Sequence, residues 1–400
     1  MRGASTGDGV QSRLRIVGRQ LGGIGNDENT GNGRFEAASV NRQFAAVLAL
    51  LALSCSRTVE LGGVPQLTSS TDPTVLGNIN ERVTAIQVDD ERVYWIGTEG
   101  IVNAIGDSAL RSCNKRHCVG SLVTYDATGV NAETKFSVEN GQIYWLHLLT
   151  DGAMTWALQS CDVRGCQGAP RVVAPSVAEE GYPTVSVFTP DAFYFSYDGV
   201  SRVPLAATGA TPEFVLNPGN SPTSLAVQGD YLYWVLNDLE GIQHGSDILR
   251  QRLDGSGSAE PLAANVDIDI YYRAAESWLT VDTQYVYWSQ GGLAGSIARC
   301  PLTGCVGAPE LFAGPVRSPT VLQLAGDELY WEHDTNLQGF AVSGCKRAQC
   351  VPSAPLAFGI DDVGPLAFDD QYFYTATVTR DPDRRSGVTD IPAQIRRIPR

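Results

Sequence analysis

An all-β ring assembled from one repeated four-strand unit is the fold this sequence predicts, and three observations carry the prediction. A Tyr-Trp pair, or a close variant of it, closes a short apolar run at intervals of about forty to fifty residues, the period of a repeat array. Each run follows a cluster of Asp, Asn, Glu or Gly, residues that suit a tight turn. Eight of the nine cysteines form four pairs with four residues between partners, each set between two strand-like runs.

The second strand of the unit anchors the alignment. It reads Val93-Tyr94-Trp95, Ile143-Tyr144-Trp145, Phe193-Tyr194-Phe195, Leu232-Tyr233-Trp234, Val286-Tyr287-Trp288, Leu329-Tyr330-Trp331 and Phe373-Tyr374-Thr375, seven copies. The first strand lies just upstream, as in Ala85-Ile86-Gln87-Val88 before Asp89-Asp90, and Leu322-Gln323-Leu324 before Gly326-Asp327. Two β-rich runs around such a turn predict a hairpin. A third strand follows a loop of variable length, from Leu110-Arg111-Ser112 through Ile248-Leu249-Arg250-Gln251 to Ile395-Arg396-Arg397-Ile398. The fourth is weaker, as befits an outer edge: Leu122-Val123-Thr124, Glu213-Phe214-Val215, Glu260-Pro261-Leu262 and Glu310-Leu311-Phe312 are examples. Four antiparallel strands at this spacing make a blade, so the predicted architecture is a seven-bladed β-propeller, with six blades as the alternative. The last copy stops at Arg400 after its third strand, and Gly63-Val64-Pro65-Gln66-Leu67-Thr68 resembles the fourth strand at Gly307 to Phe312. The expectation is that residues 64–69 pair with 394–399, an N-terminal strand closing the last blade and removing an exposed edge. The alternative is that 64–69 is linker.

Tyr-Trp at the end of the second strand, with Ile248-Leu249-Arg250-Gln251-Arg252-Leu253-Asp254-Gly255-Ser256-Gly257 after it, resembles the YWTD and NHL/TolB-like propeller repeats over about residues 64–400. The Thr-Asp that follows Tyr-Trp in the first of these families is absent from every copy. The resemblance implies the fold; propellers host receptors, scaffolds and enzymes alike, so function must come from a site.

Residues 1–55 read as an N-terminal extension plus a lipoprotein-type signal peptide, 56–63 as a linker and 64–400 as the propeller. Asn41-Arg42-Gln43 precedes the apolar run Phe44 to Leu53, which is too short to span a bilayer. Ala52-Leu53-Ser54-Cys55 resembles a bacterial lipobox, and that resemblance implies lipidation of Cys55. A short buried segment with a chance cysteine is the alternative. Residues 1–39 are unusual ahead of a signal, and a translation start at Val40 is one explanation.

The cysteines argue for export independently. Cys113 with Cys118, Cys161 with Cys166, Cys300 with Cys305 and Cys345 with Cys350 would tie hairpin bases, leaving Cys55 unpaired. Zinc is the rival, but a site needs two such pairs together and these lie in separate repeats. Disulfides imply an oxidising compartment, so the expected location is an exported, outer membrane-anchored lipoprotein, periplasmic or on the cell surface. The net charge of −15, with lysine only at positions 115, 135 and 346, argues against nucleic acid.

Chemistry is sparse. His117, His147, His244 and His333 fall in four different repeats without metal-ligand spacing, and the turn aspartates read as turn formers rather than calcium ligands. The one Gly-x-Ser-x-Gly match, at Gly3 to Gly7, has no strand before it. No cofactor and no metal are expected. In an up-and-down blade the short first and third turns share one rim, and the long segments 96–109, 146–156, 235–247, 263–276, 332–338 and 376–393 share the other. Variable loops on a rigid frame carry recognition, so Trp156, Asp238, Glu240, Tyr271, Tyr272, Glu332, His333 and Asp334 are the candidate binding residues. The expected role is a monomeric, non-catalytic binding module for a protein or glycan of the cell envelope, touching the membrane only through a lipid anchor. A lyase or hydrolase with a site at the central pocket and an envelope-assembly scaffold are the alternatives.

Overall fold

The computed structural model describes residues 75–79, 81–98, 108–130, 135–149, 155–178, 183, 185–197, 199–217, 222–236, 245–268, 278–291, 294–335, 340–350, 357–360, 365–378 and 393–400. Among them every regular element is a strand. After β1 (Val75–Ile79) come β2 (Arg82–Val88), β3 (Arg92–Thr98), β4 (Ser108–Asn114) and β5 (Val123–Val130). Then follow β6 (Ser137–Glu139), β7 (Gln142–Leu148), β8 (Trp156–Asp162) and β9 (Arg171–Ala178); β10 (Val185–Phe188), β11 (Ala192–Ser196), β12 (Val200–Pro204) and β13 (Glu213–Leu216). The next two groups are β14 (Pro222–Gln228), β15 (Tyr231–Leu236), β16 (Ser246–Arg252) and β17 (Glu260–Val266), and β18 (Leu279–Val281), β19 (Tyr285–Gln290), β20 (Ser296–Pro301) and β21 (Glu310–Ala313). The chain ends with β22 (Thr320–Ala325), β23 (Glu328–Asp334), β24 (Phe340–Lys346) and β25 (Ala357–Ile360), then β26 (Leu366–Phe368), β27 (Tyr372–Val378) and β28 (Ala393–Pro399).

These strands pair antiparallel as five four-stranded sheets and one of eight, whose halves β2–β5 and β6–β9 share a single ladder pair, Val130 with His147. First strands of neighbouring sheets adjoin: β2 touches β6, β10 touches β14, β14 touches β18, β18 touches β22, β22 touches β26, and β26 touches β2 again. The sheets of β6 and β10 meet through the packing of Tyr144 and Leu146 with Phe193 and Phe195. Contacts that return to their origin are those of a ring.

The recurrent dipeptide has a physical reason. A second strand sandwiched between two neighbouring sheets buries both faces, so successive side chains serve successive interfaces. Tyr94 packs with Ile143 and Trp145 of the following sheet, while Trp95 packs with Ala367 and Tyr374 of the preceding one. Tyr287 and Trp288 divide in the same way, toward Trp331 and toward Ile248 respectively. The core is therefore a set of clusters between sheets, and Trp95, Trp145, Trp234, Trp288 and Trp331 are all fully buried in it.

The turn aspartates act as expected of turn formers. Asp89 Oδ1 accepts the N–H groups of Glu91 and Arg92, Asp282 Oδ1 those of Gln284 and Tyr285, and Asp369 Oδ1 those of Gln371 and Tyr372. The second oxygen of each takes the tyrosine hydroxyl of its own strand pair, from Tyr94, Tyr287 and Tyr374. Disulfides join Cys113 to Cys118, Cys161 to Cys166, Cys300 to Cys305 and Cys345 to Cys350, each tying the end of a third strand to the turn beyond it.

Closure by an N-terminal strand holds, but with a different segment. β28 pairs with β27 along one edge and with Val75–Ile79 along the other, through Val75↔Arg396, Gly77↔Ile395 and Ile79↔Ala393. Residues 393–396 of β28 are thus paired on both edges, and the strand seen to close the sheet is Val75–Ile79; residues 64–69 lie outside the described ones.

Candidate functional site

The sequence pointed to the long-loop rim, and the structure redraws it. β23 runs on through Asp334 and β8 begins at Trp156, so strand covers positions expected to be loop. Glu332 is buried, at 0% exposure, and Trp156, at 1%, sits in the core against Val173 and Phe195. Neither is a rim residue. His333 and Asp334 do reach the rim, half-buried: His333 Nε2 lies 2.9 Å from Ser343 Oγ, and Asp334 pairs with Arg317 at 2.8 Å. Asp238, Glu240, Tyr271, Tyr272 and Cys55 lie outside the described residues.

Two buried acid groups near this rim escaped the sequence reading. Glu81, 1% exposed, accepts Trp95 Nε1 at 3.2 Å and pairs with Arg111. Gly97 makes this possible, since a Cβ there would sit 2.4 Å from Glu81 Oε2. Asp126 takes Trp145 Nε1 at 2.8 Å and His147 Nδ1 at 2.5 Å. Burial pushes the Asp126 carboxyl up, but the bonds from His147, Trp145 and the Thr128 N–H outweigh it and hold the group below its ordinary value. This pair stands where β5 meets β7, so it fastens two sheets together.

On the opposite rim a cleft of about 800 Å³ separates the sheet β10–β13 from the sheet β14–β17. One wall is Thr189 to Asp191, Tyr194, Arg202 and Glu213 to Val215; the other is Val227 to Asp230 and Arg252 to Asp254. One register position sets this interface apart from three others. Arg202, Arg250, Arg299 and Arg397 occupy one register site, each directly across from the repeat tyrosine (Tyr194, Tyr233, Tyr287, Tyr374). Three of them bridge to the next sheet: Arg250 Nη1 donates to Leu302 O, Arg299 Nη1 to Arg347 O at 2.9 Å, and Arg397 Nη1 to Lys115 O at 3.3 Å. Each of the three guanidinium groups lies over an aromatic shelf, on Tyr231 at 4.9 Å, Tyr285 at 4.3 Å and Tyr372 at 5.2 Å, a favourable cation–π arrangement.

Arg202 has no such shelf. Ala192, which pairs with Pro204 as Tyr285 pairs with Pro301 and Tyr372 with Pro399, stands where the others have tyrosine. Arg202 keeps the cross-strand bond to Glu213 that Arg250 and Arg299 also make, to Glu260 and Glu310, and a bond with the Tyr194 hydroxyl. No hydrogen bond joins it to Leu253, the counterpart of Leu302, and its side chain is 39% exposed against 19% for Arg250 and 11% for Arg299. Phe214, across from Ser201, lies on the other face of the sheet, with its ring over Gly199. Burial pushes the Tyr194 phenol up, with Arg202 acting against it. The opening therefore combines a rigid frame, an under-used guanidinium and several carboxylates.

No protein-family model matches the sequence, and no curated protein matches it. Solved structures do. The β-propeller domain of the trilobed protease from Pyrococcus furiosus is similar at 8% identity, over 76% of this chain and 93% of that one, with a TM-score of 0.51. A Mycobacterium tuberculosis puromycin-hydrolysing peptidase is similar at 15% identity, over 84% of this chain and 54% of that one, with a TM-score of 0.51. The Pyrococcus horikoshii acylaminoacyl peptidase is similar at 9% identity, over 79% of this chain and 50% of that one, with a TM-score of 0.52. The chain spans about half the length of these two peptidases. At such identities the likeness is one of fold, and the fold is that of a β-propeller.

Proposed function

We propose that the chain is an exported seven-bladed β-propeller that works as a binding module, with the cleft between its third and fourth blades as the docking place. The count of seven rests on the backbone bond that recurs at the start of each third turn: Lys115, Val163, Leu205, Leu253, Leu302, Arg347 and Arg400 each donate to the first turn of their own sheet. Export is supported by four disulfides in one chain. The proposal includes lipidation at Cys55 and a protein or glycan partner in the cell envelope. One observation carries the binding role: the third blade lacks the shelf and bridge found at three other interfaces, leaving a polar cleft with a guanidinium and several carboxylates on its walls.

The test is binding of the full mature protein to an envelope fraction, compared with Ala192→Tyr, which restores the missing shelf and closes the cleft. Loss of binding in the variant, at undiminished melting temperature, supports the cleft; equal binding removes it from consideration. Intact mass of protein purified from membranes reports acylation at Cys55 and the four disulfides together.

The second reading is a lyase or hydrolase at the long-loop rim. It is favoured by the His147–Asp126 pair, whose imidazole is 27% exposed beside a carboxylate held ionised. Turnover abolished by His147→Gln would establish it.

A further inference from the structure

We propose that the cleft between the third and fourth blades takes an extended peptide segment bearing lysine or arginine side chains. The inference rests on the binding reading above and adds the ligand's chemistry.

The first argument is hydrogen bonding. At neighbouring interfaces an arginine N–H meets a main-chain carbonyl of the next blade directly, as Arg250 meets Leu302 O and Arg299 meets Arg347 O. In the cleft the equivalent partners, Arg202 and Leu253 O, make no bond with each other. A donor on one wall and an acceptor on the other call for a ligand that offers both, which a peptide main chain does: its C=O accepts from Arg202 and its N–H donates to Leu253 O.

The second argument is charge. Asp191, Glu213, Asp230 and Asp254 face only Arg202 and Arg252 across the cleft, an excess of two negative charges. Asp230 is open, its side chain 82% exposed and 4.0 Å from the Arg252 guanidinium. A cationic side chain is the complement, and the chain's net charge of −15 draws such a segment in from a distance.

The experiment uses the full mature protein and a fluorescent, end-blocked peptide of alternating lysine and valine, read by anisotropy. The same peptide with glutamate for lysine, and spermine as a competitor, are the controls. Binding of the lysine peptide that weakens with added salt, absent for the glutamate peptide and poorly competed by spermine, is the expected result. Ala192→Tyr restores the missing shelf, lets Arg202 reach Leu253 O and closes the cleft without removing any of its charges; peptide affinity then falls at least about tenfold, the loss of one well-formed charged hydrogen bond. Asp230→Asn with Asp254→Asn lowers affinity about fivefold, as two exposed ion pairs should. If Ala192→Tyr does not fold, Arg202→Gln must weaken the peptide about tenfold while leaving spermine unaffected. Equal peptide binding by wild type and these variants overturns the assignment, as does spermine displacing the peptide at equal concentration. Envelope binding that Ala192→Tyr abolishes, with no binding of the lysine peptide by the wild type, overturns this inference and leaves the binding module standing; failure of both removes both.

Discussion

Lys115 Nζ lies 2.5 Å from Asp369 Oδ2, so the first sheet of the chain clasps the first turn of the last. The clasp has counterparts: Arg347 reaches Asp282 at 2.6 Å, and Arg400 reaches Glu328 at 2.6 Å. In each case a cation just after a third strand seeks the turn acid of the preceding sheet. Where the preceding sheet has no buried acid–tyrosine pair, the same position is apolar, as at Leu253 and Leu302.

The clasp sets an acid limit on stability. Burial raises the Asp369 carboxyl, but bonds from Lys115, the Tyr374 hydroxyl and the N–H groups of Gln371 and Tyr372 together lower it to about 2. A folded value below the unfolded one means the contribution is full above about pH 4 and is lost as pH falls toward 2. Lys115→Met should move the acid limb of the melting temperature upward in pH and cost about 1.5–3 kcal/mol at neutral pH. Melts recorded across that range check it; an unchanged limb would show that the pair contributes nothing to closure.

Trp145 and Trp288 look alike in sequence and differ in what their indole N–H does. Trp145 Nε1 donates to Asp126, whereas Trp288 Nε1 has no hydrogen-bond partner. Trp145→Phe therefore costs the cavity plus a weakened buried carboxylate, and Trp288→Phe the cavity alone. Urea denaturation should find Trp145→Phe less stable than Trp288→Phe by about 1–3 kcal/mol.

The repeat itself was legible because burial on both faces of each second strand forces a large side chain at adjacent positions, and Tyr-Trp is the trace that leaves. The closing strand was not. Val75-Leu76-Gly77-Asn78-Ile79 carries Gly and Asn, which argue against a strand locally, and it is held by bonds to residues over 300 positions away, as in Gln394 Nε2 to Asn78 Oδ1. Glu332 and Trp156 lie inside strands that run one to three residues farther than the turn residues suggest, and because these strands bury consecutive side chains, both are covered by their neighbours. The cleft was readable in principle. Setting Ala192-Phe193-Tyr194 beneath Tyr231-Leu232-Tyr233 and Tyr285-Val286-Tyr287 exposes the missing aromatic, but its meaning depends on the arginine of the neighbouring strand, which only the register supplies.

Each disulfide closes a loop five residues long in sequence separation, so the chain-entropy gain per bridge is modest, about 2 kcal/mol. Cys161→Ser with Cys166→Ser should lower stability by that amount without unfolding the protein, and reductant should lower the wild-type melting temperature further than any one pair does. A paired variant as unstable as the fully reduced protein would mean that one bridge alone governs the fold.

Arg250 and Arg202 provide the sharpest internal comparison, being the same residue at the same register on adjacent sheets. Arg250 stacks on Tyr231, bonds Glu260 and reaches Leu302 O; Arg202 keeps the bond to Glu213 but has neither the shelf nor the bridge. Replacing Arg250 by alanine removes a desolvated bridge between blades and should cost about 2–3 kcal/mol, whereas Arg202→Ala loses one exposed pair and should cost under about 1 kcal/mol. Tyr231→Ala goes further: it recreates at the next interface the condition set by Ala192, so the Arg250 side chain should swing outward and a second cleft should open between β14–β17 and β18–β21. Solvent accessibility of Arg250 to a dicarbonyl reagent, rising in Tyr231→Ala to the level of Arg202 in the wild type, is the measurement; an Arg250 that stays protected would show that the shelf does not hold the seam shut, and that the opening beside Ala192 has another cause.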